Sequence, residues 1–345
     1  YISNRFTMDG EINHGRSEEL RQTLRTSRLS AGNYFNLIRN RENSTWEFRS
    51  ATQYAYQPAS LLLEEGKSKF NQHSFYTDNS AAYLRKYNGF TQQYKAGIQG
   101  ERATMKYIPP TQPNDFNASN LSLYFNPYFQ LQRGKGLATL SLPLKAQRYF
   151  SQQRSFLFFN PSTYLRYKLD YHWTFSLYGS LKRSAGDFSD LYPGLYQTDY
   201  RTWRSGNGLF PTSTTQTYNL YGEYKNTVQE FFVTASLTYS RSNRNTLFEQ
   251  SVSENAIVYT QRELPNHSDS WNLSSTLSKG IYDWHLKTSL TLLLSRSNGE
   301  QLTRLTDSDQ QSLLQTYRYD YLKAEPKIIW SPADLFEAEY HATLG

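Results

Sequence analysis

The chain has 345 residues, of which 37% are hydrophobic and 16% aromatic, with 29 Tyr, six His and no Cys. A mean hydropathy of -0.74 and the lack of any run of about 18 apolar residues exclude a membrane-spanning helix, and the missing thiols exclude a disulfide framework and thiolate metal sites. The net charge of +7 comes from Lys and Arg scattered along the chain instead of one basic stripe, which argues against nucleic acid as a partner.

In chain order, the sequence predicts about fifteen strands with in-out alternation. The first is Tyr1 to Asn13, with Ile2, Phe6, Met8 and Ile12 on one face. A second, from Arg21 to Ile38, turns into Thr45 to Tyr56, where Trp46, Phe48, Tyr54 and Tyr56 share a face. Asn88-Gly89, a hairpin dipeptide, reverses a strand into Phe90 to Met105. Leu121, Leu123, Phe125, Pro127, Phe129 and Leu131 then alternate with polar residues and turn through Arg133 to Gly136 into Ala138, Leu140, Leu142 and Leu144. The clearest hairpin follows: Leu157, Phe159, Leu165, Tyr167 and Leu169 lead through Asp170-Tyr171-His172 into Trp173, Phe175, Leu177 and Leu181. Further hairpins turn at Asn226 to Gln229, Lys279 to Asp283 and Ser331 to Asp334, and a last strand begins at about Leu335.

One-sided alternation without helices to cover the apolar face predicts an all-β fold, a transmembrane antiparallel up-and-down β-barrel whose outer face meets lipid. A barrel strand needs only about 9 to 11 residues and spends half of them on a polar lumen, so the negative hydropathy fits. A soluble sandwich or propeller would show shorter strands, of about five or six residues. Short turns alternate with polar loops expected at 57 to 71, 108 to 118, 187 to 214, 246 to 267 and 298 to 315, which places the turns on the periplasmic side of an outer membrane. Trp46, Phe129, Trp173, Phe231, Trp284 and Trp330 lie beside the short turns and predict a membrane girdle; Tyr149, Phe156, Tyr239 and Trp271 predict a second girdle near the loops. The lipid and lipopolysaccharide bilayer is thus the expected surrounding partner.

The whole of 1-345 reads as one barrel segment. Tyr1 is not an initiator, the last strand ends in mid-pattern, and an odd strand count with two open edges calls for further strands to close the sheet.

The long strands, the turn Arg133-Gly134-Lys135-Gly136, the Tyr- and Asn-rich inner faces, and segments such as Leu177-Tyr178-Gly179-Ser180-Leu181 and Leu220-Tyr221-Gly222-Glu223-Tyr224 resemble the barrel of TonB-dependent outer-membrane receptors. In particular they resemble the large gut-commensal type with a carboxypeptidase-regulatory-like domain ahead of the plug. That resemblance implies a barrel of about 22 strands, an N-terminal plug, and energised import of a glycan, peptide or metal chelate. It also implies the TonB complex as a partner, acting through a plug that is not among these residues, and a surface lipoprotein as a further partner. A passive porin, and an adhesin or secretion-type structural barrel, are the alternatives; a porin would suit about 16 to 18 strands.

No enzyme site and no cofactor is expected: the six His are dispersed and have no metal-ligand spacing. Asp307-Ser308-Asp309 lacks the rest of a calcium loop. The candidate substrate contact is the loop from Asp187 to Phe210, where Tyr192, Tyr196, Tyr200 and Trp203 alternate with Arg201 and Arg204, flat faces beside hydrogen-bonding groups that suit sugars or peptides. The competing expectation is that these aromatics pack the loop as a lid.

Overall fold

The computed structural model describes all residues except 1, 18-21, 64-65, 109-113, 199-200, 207, 254-255, 306-311, 334-335 and 345. Asp307-Ser308-Asp309, Tyr200 and part of the Ser331 to Asp334 turn therefore lie outside the described residues. The strand segments are β1 (Ile2–Ser17), β2 (Gln22–Arg41), β3 (Ser44–Leu63), β4 (Gly66–Tyr87), β5 (Phe90–Ile108), β6 (Asn114–Arg133), β7 (Gly136–Ser141), β8 (Leu144–Tyr149), β9 (Arg154–Phe159) and β10 (Ser162–Lys168). They continue as β11 (Trp173–Ala185), β12 (Tyr196–Gln197), β13 (Thr202–Ser205), β14 (Thr212–Asn226), β15 (Phe231–Val252), β16 (Ile257–Ile281), β17 (Leu286–Leu305), β18 (Leu313–Ala333) and β19 (Phe336–His341).

Prolines explain why there are more segments than strands. Pro143 and Pro161 have no N–H to give the ladder, yet β7 and β8 share one register on β6, with Ser141 opposite Tyr128 and Leu144 opposite Phe125. Leu142 N donates to Pro127 O at 3.0 Å and Asn160 N to Pro143 O at 2.9 Å, so pairing runs through both breaks. Joining β7 to β8 and β9 to β10, and setting aside β12 and β13 as parts of a loop, leaves the fifteen strands predicted from the alternation. Each of them pairs antiparallel with its sequence neighbours, and among the described residues no pairing joins β1 to β19.

Register turns the alternation into two chemically distinct faces. From β6 to β18, Leu131, Ala138, Leu165, Leu177, Leu220, Leu237, Leu273, Leu294 and Leu322 are successive cross-strand partners, forming one belt. Leu220 is 54% exposed and Leu322 58%. Such a continuous apolar band far exceeds what soluble surfaces tolerate and requires an apolar cover. The belt starts next to the end of β6 and finishes deep inside β18, the stagger that goes with tilted barrel strands.

The opposite face is polar and internally bonded. Asn219 donates to Ser236 at 2.8 Å and to Thr238 at 2.7 Å, the hydroxyls of Thr276 and Thr291 lie 3.3 Å apart, and Tyr124 donates to Asp78 at 2.7 Å. A Cβ at Gly97 would lie 2.5 Å from the Tyr124 ring, so glycine is what lets this tyrosine lie flat along the inner wall toward Asp78.

The strands outrun the membrane. β15 and β16 have 22 and 25 residues and stay paired up to Val252 opposite Ile257, and β3 pairs with β4 up to Leu63 opposite Gly66. The expected loops at 57 to 71 and 246 to 267 are thus mainly strand, as is much of 298 to 315. Beyond lipid the outward face no longer needs apolar side chains, and the apolar alternation that marks a strand fades.

Trp46, Phe129, Trp173, Phe231 and Trp330 share the outward face beside the short turns, and Trp284 ends the short helical turn Tyr282–Trp284. The second girdle needs correction. Tyr239 and Trp271 do point outward, but Tyr149 and Phe156 take the inner phase, opposite to Leu144 and Leu157, and Tyr149 is only 3% exposed.

Leu290 lies outward opposite Leu277, whereas Thr291 bonds Thr276 on the inner face. In folding titrations into lipid vesicles, Leu290→Arg should cost about 2 to 4 kcal/mol and Thr291→Arg little; equal costs would overturn the face assignment.

Candidate functional site

The buried apolar cluster of the molecule lies on the inner face, where residues 186-211, between β11 and β14, fold back against the wall. This loop carries α1 (Phe188–Leu191), β12 and β13. Its Phe188, Leu191, Tyr192 and Phe210 pack on Ala103, Met105 and Tyr107 of β5, Ala118 of β6 and Tyr149 of β8. Small residues at 103 and 118 make the dent and the loop aromatics fill it. Tyr192 meets Phe70 and Phe116 edge-on, with ring centroids 6.4 and 5.9 Å away, Tyr196 stacks on Phe70 at 5.2 Å, and Phe210 meets Tyr149 at 4.5 Å. Each such pair adds about 0.5 to 1.5 kcal/mol to the burial itself.

A second wall holds the loop from the other side. β15 breaks register between Arg244 and Thr246, and above this bulge the β15–β16 hairpin leans in, so that β13 runs parallel to β16 from Thr202 opposite Ile257 to Ser205 opposite Thr260. Asn245, at the bulge, accepts from Thr212 N at 2.5 Å and donates to Phe210 O at 2.9 Å. Gln261 is buried; with its amide nitrogen turned to the loop it donates to Asp190 O at 2.9 Å and Gly206 O at 2.6 Å and accepts from Thr246. Any Cβ at Gly206 would fall 1.8 Å from Asp190 O, so this close approach requires glycine. The hairpin in turn is braced by Glu249, which accepts two hydrogen bonds from Arg262, at 2.8 and 2.6 Å, and one from Ser312.

Of the residues expected to contact substrate, Tyr192 is fully buried, Tyr196 and Trp203 pack beside the same cluster, and Arg204 pairs with Asp190 at 3.0 Å while lying over the Phe248 ring at 4.6 Å. Arg201 is exposed, and Tyr200 lies outside the described residues. Open space lies beside the loop instead. A cavity of about 730 Å³ is lined by Lys182, Asp187, Arg244, Tyr259, Gln301 and Tyr317, and one of about 280 Å³ by Glu101, Lys145, Lys182 and Asp187. Lys182, Arg244 and Tyr317 hold inner positions on three strands far apart in sequence, so alternation assigns their face but only topology brings them together. His73, His172 and His267 bond three unrelated partners, and no three His, Asp or Glu among the described residues converge as metal ligands.

Neither a protein-family model nor a curated protein sequence matches the chain. Solved structures do. The ferric preacinetobactin receptor BauA from Acinetobacter baumannii covers 94% of this chain with a TM-score of 0.52 at 11% identity, and the unliganded ferric citrate transporter FecA covers 90% with 0.51 at 8%. The fold shared with these two is an antiparallel outer-membrane β-barrel wall. The alcaligin outer-membrane receptor FauA from Bordetella pertussis aligns over 99% of the chain at 11% identity and a TM-score of 0.48. Against these receptor barrels the chain spans only part of the length: 59% of BauA, 55% of FecA and 63% of FauA.

Two outcomes test how the loop is held in this barrel. Burial pushes the Tyr192 hydroxyl up to about 12, and it has no hydrogen-bond partner among the described residues. Tyr192→Phe should therefore leave the loop docked, whereas Tyr192→Ala should cost about 3 to 5 kcal/mol of docking, read as protease cleavage within 186-211. Burial works to raise the Glu249 carboxyl, but bonds from Ser312 and Arg262 hold it below the ordinary value. A depressed carboxyl stabilises the fold above its unfolded value and ceases to do so as pH falls through the folded one. Protection of the amides in 249-262 relative to their intrinsic exchange rates should thus be high at about pH 6 and fall below about pH 4; Glu249→Gln should remove that loss.

Proposed function

We propose that this chain is the larger part of the barrel wall of a TonB-dependent receptor, an energised importer of a solute too large for porins. The observation that carries the reading is the match of fold to BauA and FecA over nine-tenths of the chain. An inner wall of hydroxyls, amides and paired charges supports it, because such a wall holds a polar cargo through many weak, exchangeable bonds. The loop at 186-211 narrows the lumen to a vestibule beside Lys182, Arg244, Tyr259 and Tyr317, cationic and aromatic groups that suit a metal chelate, a glycan or a peptide. On this reading the loop is a packed constriction and capture falls to the vestibule; the barrel sits in the outer membrane; the TonB complex acts through a plug; and a surface lipoprotein is a further partner, by analogy with the resembled family alone.

Cells that depend on the full-length protein for a ferric chelate or an oligosaccharide should lose that uptake when a protonophore collapses the proton gradient. Uptake that survives, together with steady open conductance of the pure protein in planar bilayers, would identify a passive porin instead.

A further inference from the structure

We propose that the outward face of β15 to β18 carries a docking site for an anionic phospholipid, one whose phosphate is not neutralised by a cationic group of its own headgroup. The inference rests on the reading that this face meets lipid. An open groove of about 610 Å³ lies there, floored by Leu237, Leu294 and Leu322 and bounded by Trp271, Arg296 and Asp320.

Register sorts the groove into layers. Leu237, Leu273, Leu294 and Leu322 are cross-strand partners in the leucine belt. Two residues further from the short turns the outward row reads Tyr239, Trp271, Arg296, Asp320, and two further again Arg241, Asp269, Asn298, Arg318. An apolar floor, an aromatic shelf and a charged rim thus follow one another in the order in which a lipid presents its chains, its interfacial region and its phosphate. The Tyr239 and Trp271 rings lie 4.5 Å apart and form the shelf.

Hydrogen-bond supply at the rim favours an anion. Asp320 accepts one bond from Arg296 at 2.7 Å and one from Arg318 at 2.8 Å, which holds the two guanidiniums on a common carboxylate. A guanidinium has five N–H donors, so most of both forks still face outward, each side chain being about half exposed. Arg241 forms no ion pair among the described residues, and Asp269 takes a hydrogen bond from Asn298 at 3.0 Å. One layer further out, Glu300 faces His267 at 3.7 Å. A phosphate reached by the Arg296 and Arg318 forks would gain charge-assisted bonds, and in an anionic headgroup no ammonium stands beside that phosphate to oppose the arginines. The leucine floor selects a lipid over free phosphate, because only an acyl chain covers it.

Trp271 reports on this groove directly. In the refolded protein, its contribution is the part of tryptophan fluorescence that Trp271→Phe removes. Brominated phosphatidylglycerol should quench that part about fivefold more effectively than brominated phosphatidylcholine at equal mole fraction. Arg296→Gln with Arg318→Gln should abolish the preference while both lipids still quench, which also shows that the variant remains inserted. Equal quenching by the two lipids in the parent protein, or a preference that survives the double substitution, would overturn the site. Absence of quenching by either lipid would overturn the lipid-facing reading itself, a distinct failure.

Discussion

Inside a bilayer no water is available to a peptide group, so every N–H and C=O on the spanning part of this chain has to be bonded by the neighbouring strand. The rest of the architecture follows from that demand. It keeps the register unbroken through Pro143 and Pro161, where the strand loses a donor but keeps its pairing through the carbonyl side. It leaves side chains free to vary so long as their phase is kept, so that one sheet can be leucine-rich outside and full of Asn, Ser and Thr inside. The low mean hydropathy of the chain is the average of those two faces.

The interior of this molecule is inverted relative to a soluble protein. Its apolar residues mostly lie on the outer surface, and its compact apolar core forms where the loop at 186-211 sits against the inner wall. That core is small and aromatic, and polar clamps support it: Asn245 at the bulge, Gln261 beneath Gly206, and Arg204 between Asp190 and Phe248. Glu249 is the most demanding part of this design, since a carboxylate with a 3% exposed side chain is tolerable only with Arg262 and Ser312 in place.

Strand number, phase and the short turns were legible in the sequence because apolar surroundings on one side and polar ones on the other write a period of two into every pass. Leu157 to Leu169 and Trp173 to Leu181 show this, each residue standing on the face its parity assigns. Legibility ended where the two environments became alike. Above the membrane, β15 and β16 carry polar residues on both faces and read as loop, and Tyr149 and Phe156, aromatic residues near a loop, read as girdle although their phase relative to Leu144 and Leu157 points them inward. In the loop, the alternation of Tyr and Arg gave no sign of which aromatics are buried: burial of Tyr192 depends on the dent left by Ala103 and Ala118, on strands that the local sequence does not specify. The vestibule residues Lys182, Arg244 and Tyr317 carried a face but no hint of their neighbours.

The loop is fastened at two places on the circumference, by its aromatic cluster to β5, β6 and β8 and by β13 to β16. A segment tied to separate arcs of a thin shell works as a strut: it resists flattening of the wall and carries load from one arc to the other. A force on this segment would be felt at the bulge near Asn245 and at the outer ends of β5 and β6 together, so the two arcs respond as one mechanical unit instead of as independent hairpins.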